Sequence, residues 1–537
     1  MVLFRSTTLY FRLPPWLVSS FRVLGLKQWS TALTATPDSA PVEVICDIFR
    51  HATRLPQLNC DEKSRVLYRE YLAVLFTLTG SCSRWRAIAL ADPILWTAIF
   101  VDVMTPDLLR LHLERSAGLR LDVVITNPHP VTHSLLCKEA HRFRRFIVDD
   151  MKLSPIWGDA FPDAASNLEE LRIDAHPNFP SLGFLVPVFD GSLPKLQSLQ
   201  LRNVPFWPVG TFKGLRHLEF INGVQTLPLF IPLILDILYE SPLLETLSIE
   251  NCCTLSDHRY VCTVAPMHNL RRLRVTSDAV SKFLHFIDVP STANIEIVRS
   301  FCEVAGPGAN VLSCLHQDLP WINFLDGTQD VTVLLNADVM SVKMGNCHGG
   351  VITIDVKDIP GGAHGLDDVM PPRYSPLLIN TFDTMSRLAV LKSTSSLSII
   401  IPEDARNALL YTVVEGFTSP KWRHLLQSLE NLTSLAAPLP FALLPIQVLI
   451  ISSTSFTMTC PRLRKVAITT DIPADEAHDE QLRRITKFVE ARHDAGFPLS
   501  SLDVDVSVAT LIPKQARAEY TKAWGALVGD VAFSVRF

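Results

Sequence analysis

Hydrophobic and polar positions follow two different periods along the chain. Between Pro41 and Ala91 the period is helical. Val44, Ile45, Ile48 and Phe49 recur at i, i+1, i+4, i+5, the spacing that lines one helix face, with Pro41 suited to a first helical position and Ser39 just upstream. This helix is expected to end near His51. A second apolar stretch, Tyr71 to Thr79, stops at Gly80, which accepts left-handed geometry. A third helix is expected from about Ser83 to Ala91, where Asp92-Pro93 halts it. Leu95, Trp96, Ile99, Phe100 and Val101 then switch to the aromatic and β-branched types that favour strands. Three short helices in about 50 residues cannot bury this much apolar surface among themselves. Part of it is therefore expected to serve another chain or the following domain.

From about residue 140 the pattern becomes Leu-x-x-Leu-x-apolar. It recurs as Leu168, Leu171, Ile173; Leu196, Leu199, Leu201; Leu215, Leu218, Phe220; Leu244, Leu247, Ile249; and Leu270, Leu273, Val275. The first leucines stand 28, 19, 29 and 26 residues apart, close to the roughly 20 to 29 residues of leucine-rich repeats. Weaker copies at Phe143, Phe146, Val148; Leu463, Val466, Ile468; and Leu499, Leu502, Val504 extend the array at both ends. Each unit predicts a short strand with its apolar side chains inward, and one strand cannot cover them alone, so stacking is obligatory. Leu229 to Tyr239, Ala279 to Ile287 and Gln481 to Arg492 read as outer helices. Residues 300–376 break the pattern with glycines and Pro371-Pro372, and their strand candidates are Val331 to Leu335 and Val351 to Val356. This region is expected to be an inserted loop or degenerate repeats.

Length and charge narrow the function classes. The 537 residues are 48% hydrophobic and 19% charged, enough to fold but too long for one small core. Fifty-four acidic against 49 basic side chains leave a net charge of −5, so no global positive field gathers nucleic acid. Eleven cysteines without a Cys-x-x-Cys pair fit scattered thiols of the cytosol or nucleus rather than a disulfide framework. No membrane span is expected, because the most apolar stretch, Ala436 to Ile451, is interrupted by three prolines and Gln447. The first 37 residues are basic and free of acids, with Arg5, Arg12, Arg22 and Lys27. They read as a flexible tail, with a mitochondrial transit segment as the minor alternative.

Several clusters could carry chemistry. Gly345-Asn346-Cys347-His348-Gly349 has the form of a nucleophile elbow with cysteine as nucleophile, but the alternating Val351, Ile352, Ile354 and Val356 predict a strand where an elbow needs a helix. A turn is expected there. Cys252, Cys253, Cys262 and His258 lack the paired spacing of a zinc site. His129 and His133 stand i, i+4, but Pro128 and Pro130 predict a loop, and no glutamate intervenes. His141 to Arg145, with Phe143 and Phe146, is expected to be a solvated strand face.

Ala40-Pro41-Val42-Glu43-Val44-Ile45-Cys46-Asp47-Ile48-Phe49 resembles the opening of an F-box, Leu-Pro-x-Glu-hydrophobic-hydrophobic-x-x-Ile-Phe, with Ala40 in place of leucine. Cys82-Ser83-Arg84-Trp85-Arg86-Ala87-Ile88-Ala89 followed by Pro93-Ile94-Leu95-Trp96 is similar to its second half, after a longer gap than a compact F-box has. With Leu113-Glu114-Arg115-Ser116 and the irregular repeats, the chain resembles the F-box-like proteins of fungi. The resemblance implies an α/β chain: a flexible segment 1–38, a three-helix F-box-like module over 39–103, and an irregular leucine-rich-repeat solenoid over 104–537. It implies a substrate-recognition adaptor of an SCF-type ubiquitin ligase, docked on the S-phase kinase-associated (Skp) adaptor subunit and through it on a cullin, with the repeats holding an unknown target protein. Pro41, Val44, Ile45, Ile48, Phe49, Cys82 and Trp85 match the adaptor-facing motif. No catalytic residue, cofactor or metal is expected. The alternatives are a repeat scaffold without a ligase and a hydrolase using Cys347. Docking requires that Phe49 and Trp85 are not both wholly covered by their own chain.

Overall fold

The structure, a computed structural model, describes residues 40–53, 62–126, 130–151, 165–175, 184–204, 206–221, 231–250, 264–276, 283–300, 310–315, 324–325, 327–336, 339–357, 374–401, 420–439, 460–472, 478–508 and 514–536. They fall into two compact units, Met1–Leu215 with Gly223–Leu227, and Arg216–Asn222 with Pro228–Phe537.

The first unit opens with α1 (Val42–Ala52), α2 (Glu62–Ser81) and α3 (Ser83–Ala91). α1 turns Ile45 and Phe49, one helical turn apart, inward. α2 begins nine residues before the apolar run that predicted it, because its buried stripe starts at Tyr68 and continues through Tyr71, Leu72, Leu75 and Leu78. Asp92 ends α3 and caps the next turn, Pro93–Trp96, by accepting the Ile94 N–H. Then follow β1 (Ala98–Phe100), α4 (Pro106–Arg115), β2 (Leu121–Ile125), α5 (Pro130–Lys138), β3 (Phe143–Met151), β4 (Glu170–Ala175), β5 (Phe184–Ser192), β6 (Ser198–Arg202) and β7 (Phe206–Thr211). β1, β2, β3, β4 and β6 form a parallel series, and β5 pairs with β7.

The second unit contains β8 (His217–Ile221), α6 (Ile231–Glu240), β9 (Thr246–Glu250), β10 (Ala265–Pro266), β11 (Arg272–Thr276), β12 (Ile287–Asp288), β13 (Asn294–Ser300), β14 (Thr328–Leu335), β15 (Val339–Asn346) and β16 (Val351–Lys357). It continues with α7 (Tyr374–Arg387), β17 (Ser396–Ile400), α8 (Pro420–Ser428), β18 (Ser434–Leu439), β19 (Lys465–Ile472), α9 (His478–Asp494), β20 (Ser501–Val508), α10 (Lys514–Gly525) and β21 (Asp530–Arg536). Its main strands lie in the order β8-β9-β11-β13-β16-β15-β14-β17-β18-β19-β20-β21. Among the described residues, β15 alone runs antiparallel to both neighbours.

The Leu-x-x-Leu-x-apolar units are built alike. The first leucine closes a tight turn by donating its N–H to the carbonyl three residues back, as Leu168 does to Ala165 and Leu244 to Ser241. The next two apolar side chains point inward from the strand, and the register sets Leu171 beside Leu199, Leu218 beside Leu247 and Leu247 beside Leu273. The apolar side chains of the five clear units are at most 4% exposed. The three weaker units are strands too, on β3, β19 and β20. Two of the expected helices appear, as α6 and α9, whereas Ile287 of the third lies in β12.

The fold class differs from the expected three-helix module followed by a leucine-rich-repeat solenoid. The chain forms an α/β fold with a 17-stranded, mostly parallel sheet, and ten α-helices among the described residues. A solenoid stacks each unit on its sequence neighbours. Here β13 pairs with β16 and β14 with β17, because Thr328–Lys357 doubles back as an antiparallel meander. The physical cause is connection length. Only 336–338 and 347–350 join the three strands, enough for hairpins but far short of the dozen or so residues a parallel crossover needs. The N-terminal segment also carries a strand, β1, that pairs with β2 beyond residue 103, and its helices are tied to one another and to that strand. The Tyr68 hydroxyl donates to the Ala98 carbonyl of β1 at 2.9 Å, the Tyr71 hydroxyl to the Leu95 carbonyl, and the Trp96 indole to the Ala89 carbonyl at 2.9 Å.

Candidate functional site

The seven motif positions lie on α1 and at the start of α3. Phe49 is fully buried and Ile45 nearly so; Val44, Ile48 and Trp85 are half-buried; Pro41 and Cys82 are exposed. The i, i+4 pair Ile45 and Phe49 therefore anchors α1, and Phe49 meets the Trp85 ring edge to face, with centroids 5.3 Å apart at 68°. Of the two aromatic residues on which docking was made to depend, only Phe49 is wholly covered. Trp85 is fixed from below by Phe49 and by the start of its own helix, where the Cys82 thiol accepts the Trp85 N–H at 3.4 Å. Two apolar side chains outside the seven positions are also exposed: Val42 by 47% and Ile94 by 49%. Both occupy an unspecified position of the motif, so only their exposure reveals them.

An ion pair braces this face. The Arg50 guanidinium donates to both Asp92 oxygens, at 2.9 and 3.2 Å, with the Asp92 side chain 1% and that of Arg50 41% exposed. The pairing holds Arg50 more firmly in its charged form. It also joins the end of α1 to the stop signal of α3. Burial, and next the Asp92 carboxylate, push the neighbouring Cys46 thiol above its ordinary value. Arg84 donates to the Ala40 carbonyl and holds the start of α1.

Cys347 is exposed in the hairpin turn between β15 and β16, as the alternation after it predicted. Its N–H donates to the Gly327 carbonyl. The turn is organised by Asn346, whose amide donates to the Ser291 and Phe324 carbonyls and whose oxygen accepts from the N–H groups of His348 and Gly350. His133 lies on a helix rather than a loop, because a proline at the first helical position, Pro130, costs no hydrogen bond. Its ring nitrogens are 3.5 Å from the Cys137 Sγ. His129, Cys252, Cys253, Cys262, His258 and the segment 1–38 lie outside the described residues.

Within His141 to Arg145, Arg142 is buried and donates to the Leu113 and Leu119 carbonyls, so the stretch is only partly a solvated face. Arg144 pairs with Asp122 and Arg145 with Glu170. Among the described residues no three of His, Cys, Asp and Glu come together as a metal site, and no helix is long and apolar enough to cross a membrane. No family model matches the chain, and no curated protein matches it.

Proposed function

We propose that the chain is a target-binding subunit of an SCF-type ubiquitin ligase, docking on the Skp adaptor through α1 and α3 and holding a target protein on its strand-and-helix body. It needs no catalytic residue for this task, since bringing a target beside the ligase raises its local concentration. Cytosol or nucleus is the matching compartment. The observation that carries the reading is the split of the motif positions. Ile45 and Phe49 serve as internal support, while Val44, Ile48 and Trp85 keep part of their apolar surface accessible. A half-buried aromatic on a buried support is a suitable anchor, whose truncation costs about 2 kcal/mol or more at a docking surface.

The test is capture of the intact chain by purified Skp adaptor, compared with Ile48→Asp and with Ile48→Asp combined with Trp85→Ala. Both variants are expected to lose capture while keeping their circular-dichroism spectrum and melting transition. Undiminished capture of the double variant would remove the ligase reading and leave a scaffold that binds proteins without an adaptor.

A further inference from the structure

In the second unit, the residues leading into neighbouring strands form a row in which each backbone N–H bonds to the previous residue's carbonyl. Arg271 bonds to Glu245 and Glu245 to Arg216; later, Thr433 bonds to Ser395, Arg464 to Thr433 and Ser500 to Arg464. Side chains in the row are thus neighbours at strand spacing, about 5 Å. Arg216 and Arg271 flank a carboxylate and both pair with Glu245. Arg464 occupies the same kind of place but has hydroxyls, Thr433 and Ser500, on its two sides.

Lys465, next along, lies in register between Ser434 and Ser501. Arg462 reaches only the Asn431 side-chain oxygen, at 2.7 Å, and Arg464 the Pro498 carbonyl, at 3.0 Å. All three cations are exposed, and among the described residues none has a carboxylate partner. The Thr433 and Ser500 hydroxyl protons go to backbone carbonyls, so attraction at this rim rests on the three cations. Asp503 and Asp530, on β20 and β21, bound the patch on one side.

We propose that the rim formed by Arg462, Arg464 and Lys465 binds an acidic segment of a partner protein, whose carboxylates stand where Glu245 stands for Arg216 and Arg271. Three cations on a chain of net charge −5 make too local a field for a nucleic acid but match a short run of acidic residues. The inference rests on the proposed function in one respect, that the partner is the ligase target. It names that target's chemical class.

A labelled oligoglutamate peptide titrated into the full chain, read by fluorescence anisotropy at about 50 mM salt, tests it. Saturable binding is expected, about tenfold weaker in the variant carrying Arg462→Gln, Arg464→Gln and Lys465→Gln. Binding is expected to be unchanged in Lys343→Gln, an exposed lysine elsewhere in the sheet. A phosphoserine-bearing peptide lost by the same triple variant supports the site and shows that phosphate replaces carboxylate there. Equal peptide binding by chain and triple variant overturns the proposal, and so does tighter binding of a single-stranded oligonucleotide through the same residues. Adaptor capture is scored separately, so loss of one reading leaves the other standing.

Discussion

His112 on α4 is fully buried against the Trp96 ring, with centroids 5.0 Å apart, and neither ring nitrogen makes a hydrogen bond of proper geometry. Burial dominates over the opposing pull of the Trp96 and Ala98 backbone and pushes the imidazole down to about 4. The unfolded chain takes up this proton near pH 6.5, the folded chain only near 4, so stability is complete above about 6.5 and falls as the pH drops toward 4. The loss amounts to about 3 kcal/mol. Urea unfolding between pH 4 and 7 should show this slope, and His112→Phe should flatten it; an unchanged slope would assign the effect to other groups. Asp92 offers a second test. Asp92→Ala removes a cap and leaves Arg50 only its exposed pairing with Asp47, so a loss of about 1 to 2 kcal/mol is expected. Arg50→Ala should cost at least as much, because it leaves the buried Asp92 carboxylate without its counter-charge. The linear pattern marked Asp92 only as a helix stop, not as the partner of Arg50, and did not single out His112. Histidine at a buried position looks like any polar residue on a helix, and the partner of Asp92 lies 42 positions away.

At the scale of elements, the meander β14-β15-β16 depends on its second turn. A Cβ on Gly350 would stand 2.1 Å from the Ser291 carbonyl oxygen and 2.8 Å from the Phe324 ring, a clash with backbone that no rotamer relieves. Gly350→Ala is therefore expected to destabilise by about 2 to 3 kcal/mol, lowering the thermal midpoint. Gly349→Ala, in open space but at φ +85°, should cost about 1 kcal/mol. If both variants melt with the parent chain, the turn is not what holds the meander. Element type was legible for most of the chain: i, i+3, i+5 apolar positions became strands, and α1, α3 and α9 appear where the helical period put them, whereas α5 was read as loop and Ile287 of β12 as helix. The first turns of α2 were missed because they present mainly polar residues. Lys63, Arg65, Arg69 and Glu70 are good helix formers, but their periodicity is hidden until Tyr68.

At the scale of the molecule, the two proposed surfaces belong to different units and share no residue. Ile48→Asp should abolish adaptor capture and leave oligoglutamate binding intact. The triple variant at Arg462, Arg464 and Lys465 should do the reverse, and the combined variant should show the two losses without coupling. Measured interdependence would mean that the surfaces are energetically linked.

By itself, the amino-acid order determined which side chains must leave water. An apolar residue at the third and fifth positions after a leucine has one inexpensive solution, a strand with that face covered, and this holds whatever lies beside it. Strand adjacency was decided only in the folded chain. Parallel strands with the same apolar pattern are interchangeable as neighbours, so periodicity cannot distinguish β14 from β16 as the partner of β13. Short connections and the Asn346 turn settle that choice. The same holds for charge: Arg216 and Arg464 are alike in the linear chain, and only the folded row gives the first a glutamate and the second a pair of hydroxyls.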